Sequence, residues 1–102
     1  MLDNVLTALA DPTRRAILDR LRAGEARVTD VAAPFPTSLN SVSKHIRVLE
    51  RAELIVRRRV GREHFLSRNP RGLEAAAAWM ATEHRQWNNA FDRLAKALEN
   101  DL

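Results

Sequence analysis

From Leu73 to Leu98 an apolar residue, or in one place a histidine, returns at alternating steps of four and three. The series is Leu73, Ala77, Met80, His84, Trp87, Phe91, Leu94 and Leu98. This is the a/d seam of a heptad pattern, which lets helices pair side by side. Asn69-Pro70 opens the segment, and the pattern predicts a helix over 70–100. Asn88-Asn89 is the one place where it would break. About 30 helical residues extend roughly 45 Å. A chain of 102 residues cannot cover such a rod by itself, because short chains bury a smaller share of their surface. The seam therefore calls for a partner helix, and a second copy is the simplest supplier.

Upstream the chain is organised into short helices. Leu2, Val5, Leu6 and Leu9 recur at helical spacing. Asp11-Pro12 restarts the chain, since Asp accepts hydrogen bonds from first-turn amides and Pro suits the first helical position. The second helix runs through Ile17, Leu18 and Leu21, and Gly24 stops it. Val28, Val31 and Ala32 predict a very short third helix with Thr29 near its cap, ended by Pro34-Phe35-Pro36. Ser38 then caps a fourth helix to about Ala52. On it Val42, Ile46, Leu49 and Ala52 share one side, and Asn40, Lys44, Arg47 and Arg51 the other, with Ser43 beside them. Short helix, turn, and a helix with one apolar and one basic face is the helix-turn-helix pattern. The following Leu54–Val60, Gly61-Arg62 and Glu63–Ser67 predict a two-stranded hairpin.

Charge supports this arrangement. Lys44 through Arg71 hold nine basic residues against three acids, a local balance of +6, while the rest of the chain carries −2. A focused basic field attracts a polyanion, although a solvated basic surface would have the same composition. The chain has no cysteine, so disulfides, thiolate metal sites and thiol redox sensing are excluded. No apolar run approaches the ~20 residues that span a bilayer, and the first residues lack the pattern of a signal peptide. The expectation is a cytoplasmic protein with no membrane association. No Gly-rich phosphate loop, activated nucleophile or paired acid/base constellation is present, so an enzyme is not expected. A winged-helix module that binds another protein is the alternative, and the basic hairpin argues against it.

The residues 38–52, Ser-Leu-Asn-Ser-Val-Ser-Lys-His-Ile-Arg-Val-Leu-Glu-Arg-Ala, resemble the recognition-helix signature of the ArsR/SmtB family. Leu54-Ile55 and Arg58-Arg59-Val60-Gly61-Arg62 look like that family's wing, and residues 11–18 are similar to the opening of its second helix. Pro34-Phe35-Pro36 and the tryptophan-bearing last helix look most like the subgroup related to the SdpR autorepressor. The resemblance implies a mainly α fold: a winged helix-turn-helix of four helices, a β-hairpin and a fifth helix, dimeric through the first and fifth. It implies one domain over 1–102, with the helix-turn-helix at 29–52, the wing at 54–68 and the dimerisation helix at 70–100. The implied function is repression through a palindromic operator in double-stranded DNA near a promoter.

On that reading Asn40, Ser43, Lys44 and Arg47 meet the major groove, because Arg and Lys donate to guanine and Asn pairs with adenine. Ser38 and Ser41 belong to the same DNA-binding set, with Ser41 a weaker candidate for a phosphate. His45 is either a packing residue or a phosphate donor. Arg57, Arg58, Arg59 and Arg62 form the basic wing, but strand alternation turns Arg58 away from Arg57 and Arg59, so not all can touch DNA. Arg14 and Arg15 are more naturally surface residues than phosphate contacts. The dimerisation surface comprises Leu2, Val5 and Leu6 with Leu73, Met80, His84, Trp87, Phe91, Leu94 and Leu98. His84 on the seam reads as a hydrogen bond across the interface or as part of a sensing site. Trp79 and Trp87 read as packing residues.

Two departures from the family pattern matter. Glu53 stands where the family has glycine after Ala52, which implies a differently shaped turn. The third helix holds Asp30-Val31-Ala32-Ala33 in place of cysteines, and Glu83-His84 does not reproduce the family's C-terminal ligands. No metal or other cofactor is therefore expected, and a small-molecule effector is left open.

Overall fold

A computed structural model describes residues 1–100. Its elements in chain order are α1 (Leu2–Leu9), α2 (Pro12–Leu21), β1 (Ala26–Arg27), α3 (Val28–Ala32), α4 (Leu39–Arg51), β2 (Ile55–Val60), β3 (Glu63–Arg68) and α5 (Pro70–Asn100). The fold is a mainly helical winged helix-turn-helix. The hairpin β2–β3 closes over Gly61-Arg62, with Val60 opposite Glu63. Gly61 has φ 60° while Arg62 stays at negative φ, the arrangement of a two-residue turn with glycine first.

The hairpin is not alone. Ala26 and Arg27 add a third antiparallel strand, Ala26 opposite Leu66 and Arg27 opposite Phe65, giving the order β1-β3-β2. A two-residue strand leaves no alternation in the sequence, so periodicity did not show it. It also shifts the start of the short helix. Val28 opens α3, with Arg27 rather than Thr29 at the cap and no side-chain bond there.

The core lies where α1, α2, α3 and α4 meet the sheet. Val5, Ile17, Val31, Val42, Ile46, Leu49, Leu54 and Leu66 are fully buried in it. Val5 is thus a correction. Its side chain faces α1's own subunit and has no surface left for a partner. Leu2 and Leu73, from the same expected set, are half-buried against this core.

Two helix ends show how the reading helix is held. At its start, Ser38 accepts from the Ser41 amide at 3.1 Å. At its end, the amide of Leu54 reaches the Leu49 carbonyl and that of Glu53 the Glu50 carbonyl, both at 3.0 Å. This is a Schellman turn, and it puts the residue after the cap in the left-handed region. Glu53 occupies that place with φ 56°. The turn therefore keeps the conformation glycine would give it, contrary to the expectation of a different shape, at a cost on the order of 1 kcal/mol.

The first turn of α5 docks on this corner. The Gly72 amide donates to the Glu53 carbonyl at 3.0 Å, and the Asn69 amide to the Leu54 carbonyl at 2.9 Å. A Cβ on Gly72 would stand 2.7 Å from the Ala52 carbonyl oxygen and 2.8 Å from that of Glu53. Glycine is needed here for close approach, with Ala76 buried one turn on. Asn69 caps the helix through the Arg71 amide at 3.1 Å. Beyond this root α5 runs without a break through Asn88-Asn89 to Asn100 and stretches the molecule to 70 × 25 × 23 Å.

Candidate nucleic-acid interface

On α4 the apolar stripe Val42, Ile46 and Leu49 is buried. The opposite side presents Asn40, Lys44, Arg47 and Arg51 exposed to solvent, with Ser43 half-buried toward the hairpin. The 3.6-residue period alone produces this division. Ser38 and Ser41 lie in the first turn, where their hydroxyls also approach each other at 3.1 Å. A cleft opens between this end of α4, the start of α3 and the hairpin. Leu39, Ser43, Arg57, Arg62 and His64 line it, with Val28, Thr29, Arg27 and Glu63 on its α3 side.

The wing arginines have different surroundings. Arg57 faces α4, where its Nη2 and Nε donate to Glu50 Oε1 at 2.6 and 3.2 Å. Its Nη1 lies 3.2 Å from His64 Nδ1. A guanidinium can only donate, so that histidine nitrogen accepts and the ring proton is assigned to Nε2. Arg58 points to the other face, as strand alternation requires. It grips Glu25 through two bonds of 2.7 and 3.0 Å and lies 4.9 Å from the centre of the Phe65 ring. Hydrogen bonding from Arg58 holds the Glu25 carboxyl below its usual pKa, and the same pair raises that of Arg58. Arg59 is exposed and donates to the Gly61 carbonyl at 3.1 Å. Arg62 is exposed at the turn. The basic run Arg57-Arg58-Arg59 is thus divided into an anchor to α4, an anchor to the α2–β1 loop and one side chain at the tip.

His45 is half-buried between helices. Its Nδ1 is 3.2 Å from Arg14 Nη1 and 3.9 Å from Asp11 Oδ1. Arg14 also donates to the Ala8 carbonyl at 2.8 Å and the Thr7 carbonyl at 2.9 Å, while Arg15 reaches the Leu9 carbonyl at 2.7 Å. These two arginines close the C-terminus of α1, a role that favours cations and that spacing did not reveal. Asp11 caps α2 through the amides of Thr13 and Arg14 at 2.8 and 3.1 Å. Burial pushes its carboxyl up. The two amides and the neighbouring His45 and Arg14 outweigh that, leaving its pKa below the usual value.

The other exposed surface is apolar. Trp79, Met80, Trp87, Phe91, Leu94 and Leu98 of α5 are each about half exposed or more, with Leu6 of α1 exposed as well. The Trp87 and Phe91 rings lie 6.1 Å apart between centroids, tilted by 34°. His84 Nε2 accepts from the Asn88 side-chain amide nitrogen along the helix at 3.2 Å. Among the described residues no group of three or more His, Cys, Asp or Glu could hold a metal ion, and no helix is long and apolar enough to cross a membrane.

This geometry can be set beside known proteins. A helix-turn-helix domain model matches residues 9–58. The transcriptional repressor SdpR of Bacillus subtilis is 39% identical over 79 residues, which are 78% of this chain and 88% of SdpR. The chain belongs to the ArsR/SmtB family. An HTH-type regulator of Mycobacterium tuberculosis, Rv2034, is 35% identical over 97% of this chain and 90% of its own. The crystal structure of the ArsR family transcriptional regulator RHA00566 superimposes with a TM-score of 0.82 at 39% identity, covering 85% of this chain and 90% of that one. A homodimeric winged helix-turn-helix DNA-binding domain from Mycobacterium bovis matches at a TM-score of 0.62 and 25% identity, over 89% and 82% of the two chains. For this ArsR/SmtB member, family and fold are those of transcriptional regulators and not of enzymes.

Proposed function

We propose that the chain is a cytoplasmic repressor that binds a palindromic operator as a homodimer, in one domain over 1–102. The observation that carries this reading is the exposed face of α4, where Asn40, Lys44 and Arg47 stand clear of internal partners beside Ser43 and Arg62. In the proposed complex these four α4 side chains enter the major groove, while Arg62 and Arg59 meet phosphates beside it. Ser38 and Ser41 have their hydroxyls committed to the helix cap and approach phosphates only through that turn. His45 and Arg57 support α4 from behind and beside it. Arg58 keeps the wing on the body of the domain.

The second half of the proposal is the dimer. α1 and α5 supply its surface through Leu6, Met80, His84, Trp87, Phe91, Leu94 and Leu98, with Leu2 and Leu73 at its inner margin. Contiguous exposed apolar surface on this scale marks an interaction site. Two-fold pairing would bring two copies of α4 to successive major grooves, about 34 Å apart. The named repressors among the relatives support this reading, and so does the homodimeric neighbour.

The test is a gel-shift titration with the DNA upstream of the gene. A specific complex is expected, weakening steeply as salt rises because phosphate contacts release counterions. Lys44→Ala with Arg47→Ala should abolish the preference for that DNA over random duplex. Equal affinity for both DNAs, or no effect of the double substitution, refutes the proposal.

A further inference from the structure

Leu39 is the first residue of α4, and it is 53% exposed. The other large apolar side chains of that helix, Val42, Ile46, Leu49 and Val48, are buried in the core or packed against it. A lone exposed leucine on a helix is ordinary in itself. Its position is what matters here. The N-terminal residues of a recognition helix are those that contact base edges. The hydroxyls flanking Leu39 are occupied with each other, since Ser38 Oγ accepts from the Ser41 amide and lies 3.1 Å from Ser41 Oγ. Leu39 also lines the cleft that holds Ser43 and Arg62, one helical turn from Ser43 on the same side. At the tip of the helix, the side chains free to reach a base are therefore Leu39 and Asn40.

The major groove offers an isobutyl group one chemically matched surface, the C5-methyl of thymine. Apart from small C–H edges such as cytosine C5–H, the other groups there are hydrogen-bond donors or acceptors. A leucine against those would strip water from polar atoms without replacing their bonds, which is unfavourable.

We infer that Leu39 is a specificity-determining residue that selects thymine by burying its methyl group. Asn40 beside it suits adenine, so the two side chains together favour A·T pairs in each half-site. The inference rests on the DNA-binding reading above and adds the base identity to it.

The experiment starts with duplexes selected from a random pool by the full chain. Each thymine of the selected site is then replaced by deoxyuridine, which removes the methyl and leaves every hydrogen-bonding group in place. Loss of one methyl contact is expected to weaken binding about fourfold at one thymine in each half-site. Leu39→Ala should bind thymine and uracil forms of that position equally. Its melting temperature should stay near that of the parent, since the side chain is half in water. Leu39→Gln, which keeps the length and supplies an amide, should lose the thymine preference in the same way. The inference is overturned if every thymine tolerates demethylation, or if the loss is the same in Leu39→Ala as in the parent. If the selection returns no preferred sequence, the DNA-binding reading fails first and this inference with it.

Discussion

At the residue scale, Glu53 and Gly72 form one corner with opposite demands. Glu53 sits at φ 56° where glycine would be unstrained. Its side chain offers only an exposed contact of 3.6 Å with Arg71, which is worth little. Glu53→Gly should stabilise the chain by roughly 0.5 kcal/mol. That is the relief of ~1 kcal/mol or more of left-handed strain less the greater freedom glycine has when unfolded. Gly72→Ala should destabilise by about 1–3 kcal/mol, the usual cost of forcing an atom into a filled space. Urea titration of both variants measures the two signs. Asp11 gives a pH prediction. Its carboxyl titrates lower in the folded chain, so its contribution is fully present above the unfolded value near pH 4 and is lost as pH falls through the folded one. Asp11→Asn keeps a capping oxygen but should flatten that acid limb of the melting-temperature profile. A variant profile identical to the parent's would show that Asp11 does not contribute to it.

At the scale of elements, the wing has its charge divided between structure and surface. With Arg58 held by Glu25 and Phe65 and Arg62 free at the turn, the two should respond differently in salt titrations. Arg62→Ala should lower the slope of log affinity against log salt by about 0.9 for each phosphate contact removed, while Arg58→Ala leaves it unchanged. Equal slope changes would mean that Arg58 leaves Glu25 on binding. The elements themselves were largely legible. The period of α4, the Asp11 and Ser38 caps, the Gly61-Arg62 turn and the long last helix could all be read locally, because each follows from short-range chemistry. What escaped the sequence depended on contacts distant along the chain. The two-residue β1 exists only because β3 pairs with it. Arg14 and Arg15 find the end of α1 only once α1 and α2 are folded together. Val5 looked like an interface residue because helical spacing gives the apolar side of α1 without saying what covers it. Glu53 implied a differently shaped turn, whereas the Schellman bonds around it impose the left-handed one.

At the scale of the molecule, the outer part of α5 is a rod whose seam has no cover among the described residues. Trp87 and Phe91 are 62% and 60% exposed, and burying that apolar surface against a second copy is favourable. Trp87→Glu with Phe91→Glu should convert a dimer to a monomer in sedimentation velocity, because each charge would be desolvated on pairing. The fold should survive, since neither residue touches the core, and operator affinity should fall as the second reading helix is lost. A parent chain that sediments as a monomer would refute the paired arrangement.

The hydrogen bonds that join rod and reading helix are made by main-chain atoms, beside the packing of Leu73 and Ala76 on the core. Peptide groups at 69 and 72 hold the carbonyls at 54 and 53, and no side chain takes part in either bond. Substitutions along the rod or on the reading face can thus change what each surface recognises while the angle between them is inherited intact. The exceptions lie at the root, among them position 72, where a single added carbon would force the joint open.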